Sequence, residues 1–218
     1  MKFPTRKKIE AESSSLPTSE PVTTPQPTKS GPWHEALITI VLFISAILIA
    51  LIAKAYIVQP YVVDGQSMET TLQDHDRLLV DKLPLTFAHL SGHPYIPARG
   101  DIIIFNQSNL PGYIGTKQLI KRVIGLPGER VVVDQGVITI YNRTHPNGFN
   151  PDTTGKYRIS ASTTPGNVDV TLQNNQLFVC GDNRPNSEDS RVFGPIDSSQ
   201  IVGKLSFRIF PLSKLQHF

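Results

Sequence analysis

Three short polar clusters carry residue types that peptide-bond chemistry uses. The first is Val63, Asp64, Gly65, Gln66, Ser67, Met68. A serine two residues after a glycine suits a tight turn whose backbone N–H groups approach a carbonyl and form an oxyanion hole. On its own such a serine is ordinarily a loop residue. The second cluster is Gln118, Leu119, Ile120, Lys121, Arg122, Val123, Ile124. On a strand, alternation puts Lys121 on the face of Leu119 and Val123 and Arg122 on the other. A lysine on a dry face resists charge, and a fall from ~10.4 toward ~7–8 corresponds to ~3–4 kcal/mol of destabilised ammonium. A neutral lysine is a competent general base. The alternative is a lysine snorkelling from a strand edge. The third cluster runs from Gly181 through Asp182, Asn183 and Arg184 to Ser187, Glu188, Asp189, Ser190 and Arg191. Its short polar side chains can stitch a loop together, with Asp189 and Arg191 placed to pair.

Other chemistries find less support. The six histidines are scattered, and no His-Glu-x-x-His pattern occurs, so no metal and no cofactor is expected. The single cysteine, Cys180, excludes an intramolecular disulfide and reads as a small buried apolar residue. Lys+Arg 21 against Asp+Glu 18 gives a net charge of +3. Those cations form no dense stripe, so nucleic acid is not an expected partner.

The elements that must position these clusters are strands. With 18 Pro and 15 Gly in 218 residues, the chain favours turns over a helical bundle. Apolar runs such as Ile102 to Phe105, Val131 to Val133, Val137 to Tyr141 and Leu177 to Val179 alternate with turn signals. A hairpin is expected about Gln135 and Gly136. The fold class is therefore mainly β over residues 57–218. Residues 142–175 are polar and turn-rich, an excursion expected to form a small inserted subdomain.

Two further segments precede this domain. Residues 36–53 contain no charge, and 18 residues at ~1.5 Å each span ~27 Å, close to a bilayer's hydrocarbon core. Trp33 and Tyr56 flank the run. Residues 33–56 thus read as a single transmembrane anchor in a lipid bilayer. The alternatives are a buried core helix, which would show a polar stripe, and a cleaved leader ending near Ala53 and Ala55. Residues 1–32 hold six prolines and ten Ser/Thr, and are expected to be a disordered tail. Arg6, Lys7 and Lys8 tip that tail toward the cytoplasm.

In this order, the clusters resemble the boxes of bacterial type I signal peptidases, a family of membrane-bound serine proteases with a Ser–Lys dyad. Residues 63–72 resemble the nucleophile box, residues 121–128 the lysine box, and residues 181–191 the last box. Residues 76–82, 99–105 and 193–196 continue the match. The resemblance covers nearly everything beyond the tail. It implies an antiparallel β-sheet catalytic domain outside the plasma membrane. The implied reaction is removal of signal peptides from exported preproteins, cut after small residues through an acyl-enzyme. Proximity to the secretion translocase follows from the same resemblance.

The implied roles are Ser67 as nucleophile and Lys121 as general base. Backbone N–H groups near Gly65 and Ser67 would form the oxyanion hole, and Met68 would keep the dyad dry. Ser187 would hydrogen-bond the Lys121 ammonium, while Asp189 and Arg191 would hold the last loop. Three positions depart from the family pattern. Thr70 stands where proline is usual, Pro185 where Asp or Asn is usual, and Gly65 where some relatives carry a serine. The rivals are a related Ser–Lys protease, such as a pilus-processing peptidase or self-cleaving repressor, and a catalytically dead peptide-binding domain.

Overall fold

The computed structural model describes residues 32–108 and 110–218. The tail expected over residues 1–32 therefore lies, but for Pro32, outside the described residues. The chain divides into two compact units, residues 1–44 and 45–218. Helix α1 (Pro32–Tyr56) runs through the boundary. Its stretch Trp33–Lys54 has a mean hydropathy of 3.0, and its most apolar window is not buried among the described residues. Leu37, Leu42, Ile49 and Leu51 are all exposed, so the helix is apolar around its circumference. At 22 residues and ~1.5 Å per residue it reaches ~33 Å, long enough to cross a bilayer.

The rest is mainly antiparallel β, as its alternation and turns dictate. The strands are β1 (Val58–Val62), β2 (Arg77–Asp81), β3 (Ile102–Ser108), β4 (Thr116–Gly125), β5 (Arg130–Asp134), β6 (Val137–Tyr141), β7 (Val168–Thr171), β8 (Gln176–Cys180), β9 (Ile196–Asp197), β10 (Ile201–Phe210) and β11 (Gln216–His217). One sheet has the order β1-β2-β10-β3-β4-β8-β9, with β11 on β10. The second has the order β6-β5-β7. Strands β5 and β6 turn at Gln135 (φ 48°) and Gly136 (φ 79°), the paired positive φ angles of a two-residue hairpin. The excursion expected over residues 142–175 holds only one strand of this second sheet, because β5 and β6 precede it. Arg99 and Glu129, both largely buried, pair at 2.6 Å near its root.

Two short helices interrupt the strands. In α2 (Leu83–Ser91), Pro84 stands in the first turn, where it breaks no hydrogen bond, and Gly92 ends the helix at φ 70°. Helix α3 (Ser190–Phe193) is capped by the Asp189 carboxylate, which accepts from Arg191 N–H. Both bracket a core that includes Leu85, Ile103, Phe105, Val123, Leu177, Val179 and Ile196, with Phe193 packed against it.

Strand β10 lies between β2 and β3 and approaches β2 closely at Gly203. A Cβ there would collide with Val80 Cγ1 and stand 2.9 Å from Asp81 O. Gly203→Ala is expected to cost about 1–3 kcal/mol by overpacking, read as a lower Tm. Combining it with Val80→Ala should recover part of that loss in a double-mutant cycle, and strict additivity would rule out the steric cause.

Candidate active site

Ser67 sits in a loop whose ends are tied together. Val63 N–H donates to Asp76 O at 2.9 Å, and His75 N–H donates to Val63 O at 3.0 Å. Gly65 holds φ +99°, a conformation that L side chains rarely adopt. Its N–H donates to Asp74 Oδ1 at 2.9 Å. The Ser67 carbonyl accepts from Asn183 N–H at 3.0 Å. Asn183 Nδ2 donates to Gln66 O at 3.1 Å. Among the described residues, the Ser67 N–H has no acceptor in the protein. Met68 is fully buried with Val63, Leu72, Leu78, Ile102 and Leu205, so an apolar cluster anchors the loop just beyond Ser67.

Lys121 lies on β4 opposite Ile103 of β3. Its side chain is only 3% exposed, and Nζ stands 2.6 Å from Ser67 Oγ, across 54 residues of sequence. Burial pushes its pKa down from 10.5 to about 8, against the opposing field of Asp189. The amine can therefore be neutral under mildly basic conditions, and the Ser67 hydroxyl then donates to it.

Strand β4 changes partner at this point. It pairs with β3 from Thr116 to Arg122, but with β8 only from Arg122 onward. The second edge of residues 116–121 faces no strand among the described residues. A groove of about 380 Å³ lies here, walled by residues 61–67 and 117–121 and containing both Ser67 and Lys121. A larger cavity, about 730 Å³, is lined by Arg99, Lys156, Arg158 and Lys204 and holds neither of them.

Buried arginines fasten the segments around the pair. Arg122 forks onto Asp182, with Nε to Oδ1 at 2.8 Å and Nη2 to Oδ2 at 2.6 Å. Thr71, from the Ser67 loop, donates to the same Oδ2 at 2.5 Å. Arg184 donates to Gly181 O, Asp152 and Thr164. Asp189 accepts from Gly181 N–H and from Arg191. Arg191 in turn reaches Pro165 O and Arg184 O. Ser187 Oγ is buried and has no hydrogen-bond partner among the described residues. It lies against Gly181, where a Cβ would collide with Ser187 Oγ and Ser67 O. Burial pushes the Cys180 thiol up, so it stays protonated.

The positioning roles of Asp182, Arg184 and Gly181 are invisible in the sequence read alone. Their signal is the density of polar residues after an apolar strand, which marks a stitched loop without naming its partners. The departures fall outside the pair. Thr70 Oγ1 meets Ser160 Oγ at 2.6 Å, and Pro185 is exposed in a 3-10 turn (Arg184–Asn186). No group of three or more His, Cys, Asp or Glu able to hold a metal occurs among the described residues.

Residues 36–210 match the family described as "Signal peptidase, peptidase S26". The chain belongs to this family. "Probable signal peptidase I-1" of Synechocystis is 34% identical over 187 residues, 84% of this chain and 87% of the relative. Signal peptidase IB of Staphylococcus aureus is 31% identical over 183 residues, 79% of this chain and 88% of the relative. The crystal structure of a signal peptidase I from Enterococcus faecalis is 30% identical and gives a TM-score of 0.37, covering 50% of this chain and 97% of that one. Membership makes the protein a serine peptidase, and with the exposed apolar helix α1 it is membrane-anchored.

The depressed Lys121 pKa has a consequence for stability. Below pH ~8 the amine is protonated in both folded and unfolded chains, and the fold bears the whole cost of burying the charge. Between about 8 and 10.5 only the unfolded chain stays protonated, so stability rises with pH through that window. Lys121→Met is expected to unfold at higher temperature than the parent at pH 7, by an equivalent of ~3 kcal/mol. The gap should close toward pH 10.5, and an unchanging gap would mean the amine is not desolvated.

Proposed function

We propose that this protein removes N-terminal signal peptides from exported preproteins, with Ser67 and Lys121 as its catalytic dyad. The observation that carries the reading is the 2.6 Å approach of a buried lysine to a serine hydroxyl at the head of an open groove. Neutral Lys121 takes the Ser67 proton as Oγ attacks the scissile carbonyl. The oxyanion is stabilised by backbone N–H groups. The Gly65 N–H is committed to Asp74, so the Ser67 N–H is the donor at hand. The resulting Lys121 ammonium gives its proton to the leaving amine. Water, deprotonated by Lys121, then hydrolyses the acyl-enzyme. Asp189 and Arg191 hold the loop behind the dyad, and Met68 keeps it dry. Ser187 accepts from the ammonium in this reading.

The substrate lies along the free edge of β4 as an added strand, its main chain bonding to residues 116–121. Small side chains at the first and third positions before the cut fit the groove. Ser67 follows Tyr56 by only 11 residues, which keeps the reaction near the bilayer, where a preprotein's apolar segment lies. The anchor then spans the plasma membrane once, with the tail of residues 1–32 in the cytoplasm and residues 57–218 outside. The excursion of residues 142–175, together with β5 and β6, forms the subsidiary lobe. The enzyme works beside the secretion translocase.

Detergent-solubilised protein should cut a model preprotein at one site, mapped by mass spectrometry after a small residue. Ser67→Ala and Lys121→Met should each lower the rate by about 10²–10⁴-fold or more while leaving the fold intact. The parent's rate should climb with pH to a midpoint near the Lys121 value of about 8. A flat profile, or substantial turnover by either variant, refutes the dyad. In spheroplasts, externally added protease should degrade residues 57–218, and protection would reverse the orientation.

A further inference from the structure

The cavity of about 730 Å³ that holds neither Ser67 nor Lys121 carries Arg99, Arg122, Lys156, Arg158, Lys204 and Arg208 on its lining. Four of these cations hold carboxylates. Arg99 meets Glu129 at 2.6 Å, Arg122 meets Asp182 at 2.6 Å, Lys204 meets Asp101 at 2.9 Å and Arg208 meets Asp76 at 3.1 Å. Among the described residues, Lys156 and Arg158 pair with no carboxylate, and Asp101, already engaged by Lys204, is the only acidic side chain on the lining. The cavity therefore keeps two uncompensated positive charges, and Lys204 keeps donors beyond the one that Asp101 takes. A cleft lined by one sign of charge concentrates ions of the other.

Lys156 and Arg158 are exposed, but the residue between them is fixed. Tyr157 is 9% exposed, its ring lies 4.5 Å from the Arg122 guanidinium, and its hydroxyl donates to Asp152 Oδ1 at 2.8 Å. The backbone at Gly100 packs so closely that a Cβ there would stand 3.0 Å from the same ring. The two free cations are thus carried on an anchored backbone at the wall of the cavity.

The sheet register says what anion they meet. Within residues 45–218, the apolar span of α1 ends at Lys54, and Val58 of β1 follows just beyond it. Val58 pairs with Asp81 of β2, and Asp81 pairs with Lys204 of β10. Lys204 is therefore two strand spacings, ~10 Å, from the strand that leaves the span. Lys82 N–H, next along β2, donates to Ile57 O at 2.8 Å and holds that strand to the end of the helix. The headgroup layer on each side of a bilayer is ~5–8 Å thick. A cavity with Lys204 in its wall lies within reach of that layer, where the abundant anions are phosphate esters.

We propose that this cavity binds an anionic phosphate ester, its oxygens accepting from Lys156, Arg158 and Lys204. Ammonium and guanidinium groups are the side chains that take phosphate oxygens with charge-assisted hydrogen bonds. The cavity is larger than one phosphate group, so the alcohol part of the ester fits beside it. The site is separate from Ser67 and Lys121, and binding there stands or falls independently of cleavage.

The test uses the full chain in detergent and two sources of the same chemistry. One is glycerol 1-phosphate in solution, and the other is mixed micelles carrying phosphatidylglycerol. Zwitterionic phosphatidylcholine micelles and sodium chloride of equal ionic strength are the references. At about 100-fold over its Kd, the ester should raise Tm by about 5–10 °C. In the double variant Lys156→Gln with Arg158→Gln, the Kd should weaken by about 10-fold or more. Both side chains are exposed and unpaired, and the ligand-free Tm of the variant reports that it folds. A saturable rise with glycerol 1-phosphate supports the proposal with a soluble ester as ligand, and a rise with phosphatidylglycerol alone supports it with a lipid headgroup. No rise with either, an unchanged Kd in the variant, or an equal rise with chloride or phosphatidylcholine overturns it. So does stabilisation by a glutamate-rich peptide but by neither ester, which would make the cavity a peptide site.

Discussion

An amine held within bonding reach of a hydroxyl, in surroundings that disfavour its charge, constrains everything around it. Lys121 can be neutral only where water is scarce, and scarcity of water comes from β3 on one side and the Ser67 loop packed against the amine. The same dryness makes every nearby charge dangerous. Asp189 is the strongest field acting to keep the amine protonated. The fold limits that effect by engaging both Asp189 oxygens with Arg191 and the Gly181 N–H. A carboxylate already paired with a guanidinium acts on the lysine more as a dipole than as a bare charge. The charge state of Lys121 thus depends on a second ion pair, Arg191 with Asp189.

The buried Arg–Asp pairs are better understood as geometric fasteners than as sources of stability. Desolvating two charges consumes most of what their attraction returns, whereas leaving one of them unpaired costs several kcal/mol, about 3–5. That asymmetry enforces one arrangement. Arg122 and Asp182 bind β4 to the chain leaving β8, and Thr71 adds the serine loop to the same carboxylate. Arg184 and Asp152 join that chain to the excursion. Four segments remote in sequence are thereby held in register around one oxygen and one nitrogen.

Much of this was legible from residue order, and the reasons differ element by element. The period of two along residues 102–105 and 137–141 exposes the strands, and Gln135-Gly136 exposes its hairpin because the turn demands positive φ at both residues. Helix α1 declares itself by an uninterrupted apolar run. Ser67 and Lys121 are legible through the family resemblance; their separation of 54 residues carries no local signal. Strand order is hidden for the same reason, since β10 inserts between β2 and β3 through contacts distant in sequence. Helix α2 is hidden because nine mostly apolar residues with a proline at the second do not distinguish a helix from a strand. The second sheet begins before the polar stretch that announces it, as β5 and β6 are too regular to look like an insertion.

The unpaired margin of β4 carries a liability of its own. An unpaired strand edge is able to pair with its twin, and such edges are where β proteins stack into oligomers and aggregates. Here the margin is short, and Lys117 near its outer end is exposed. Two copies meeting edge to edge would bring those like charges together. An exposed cation on an otherwise open margin is in this way a guard against self-association.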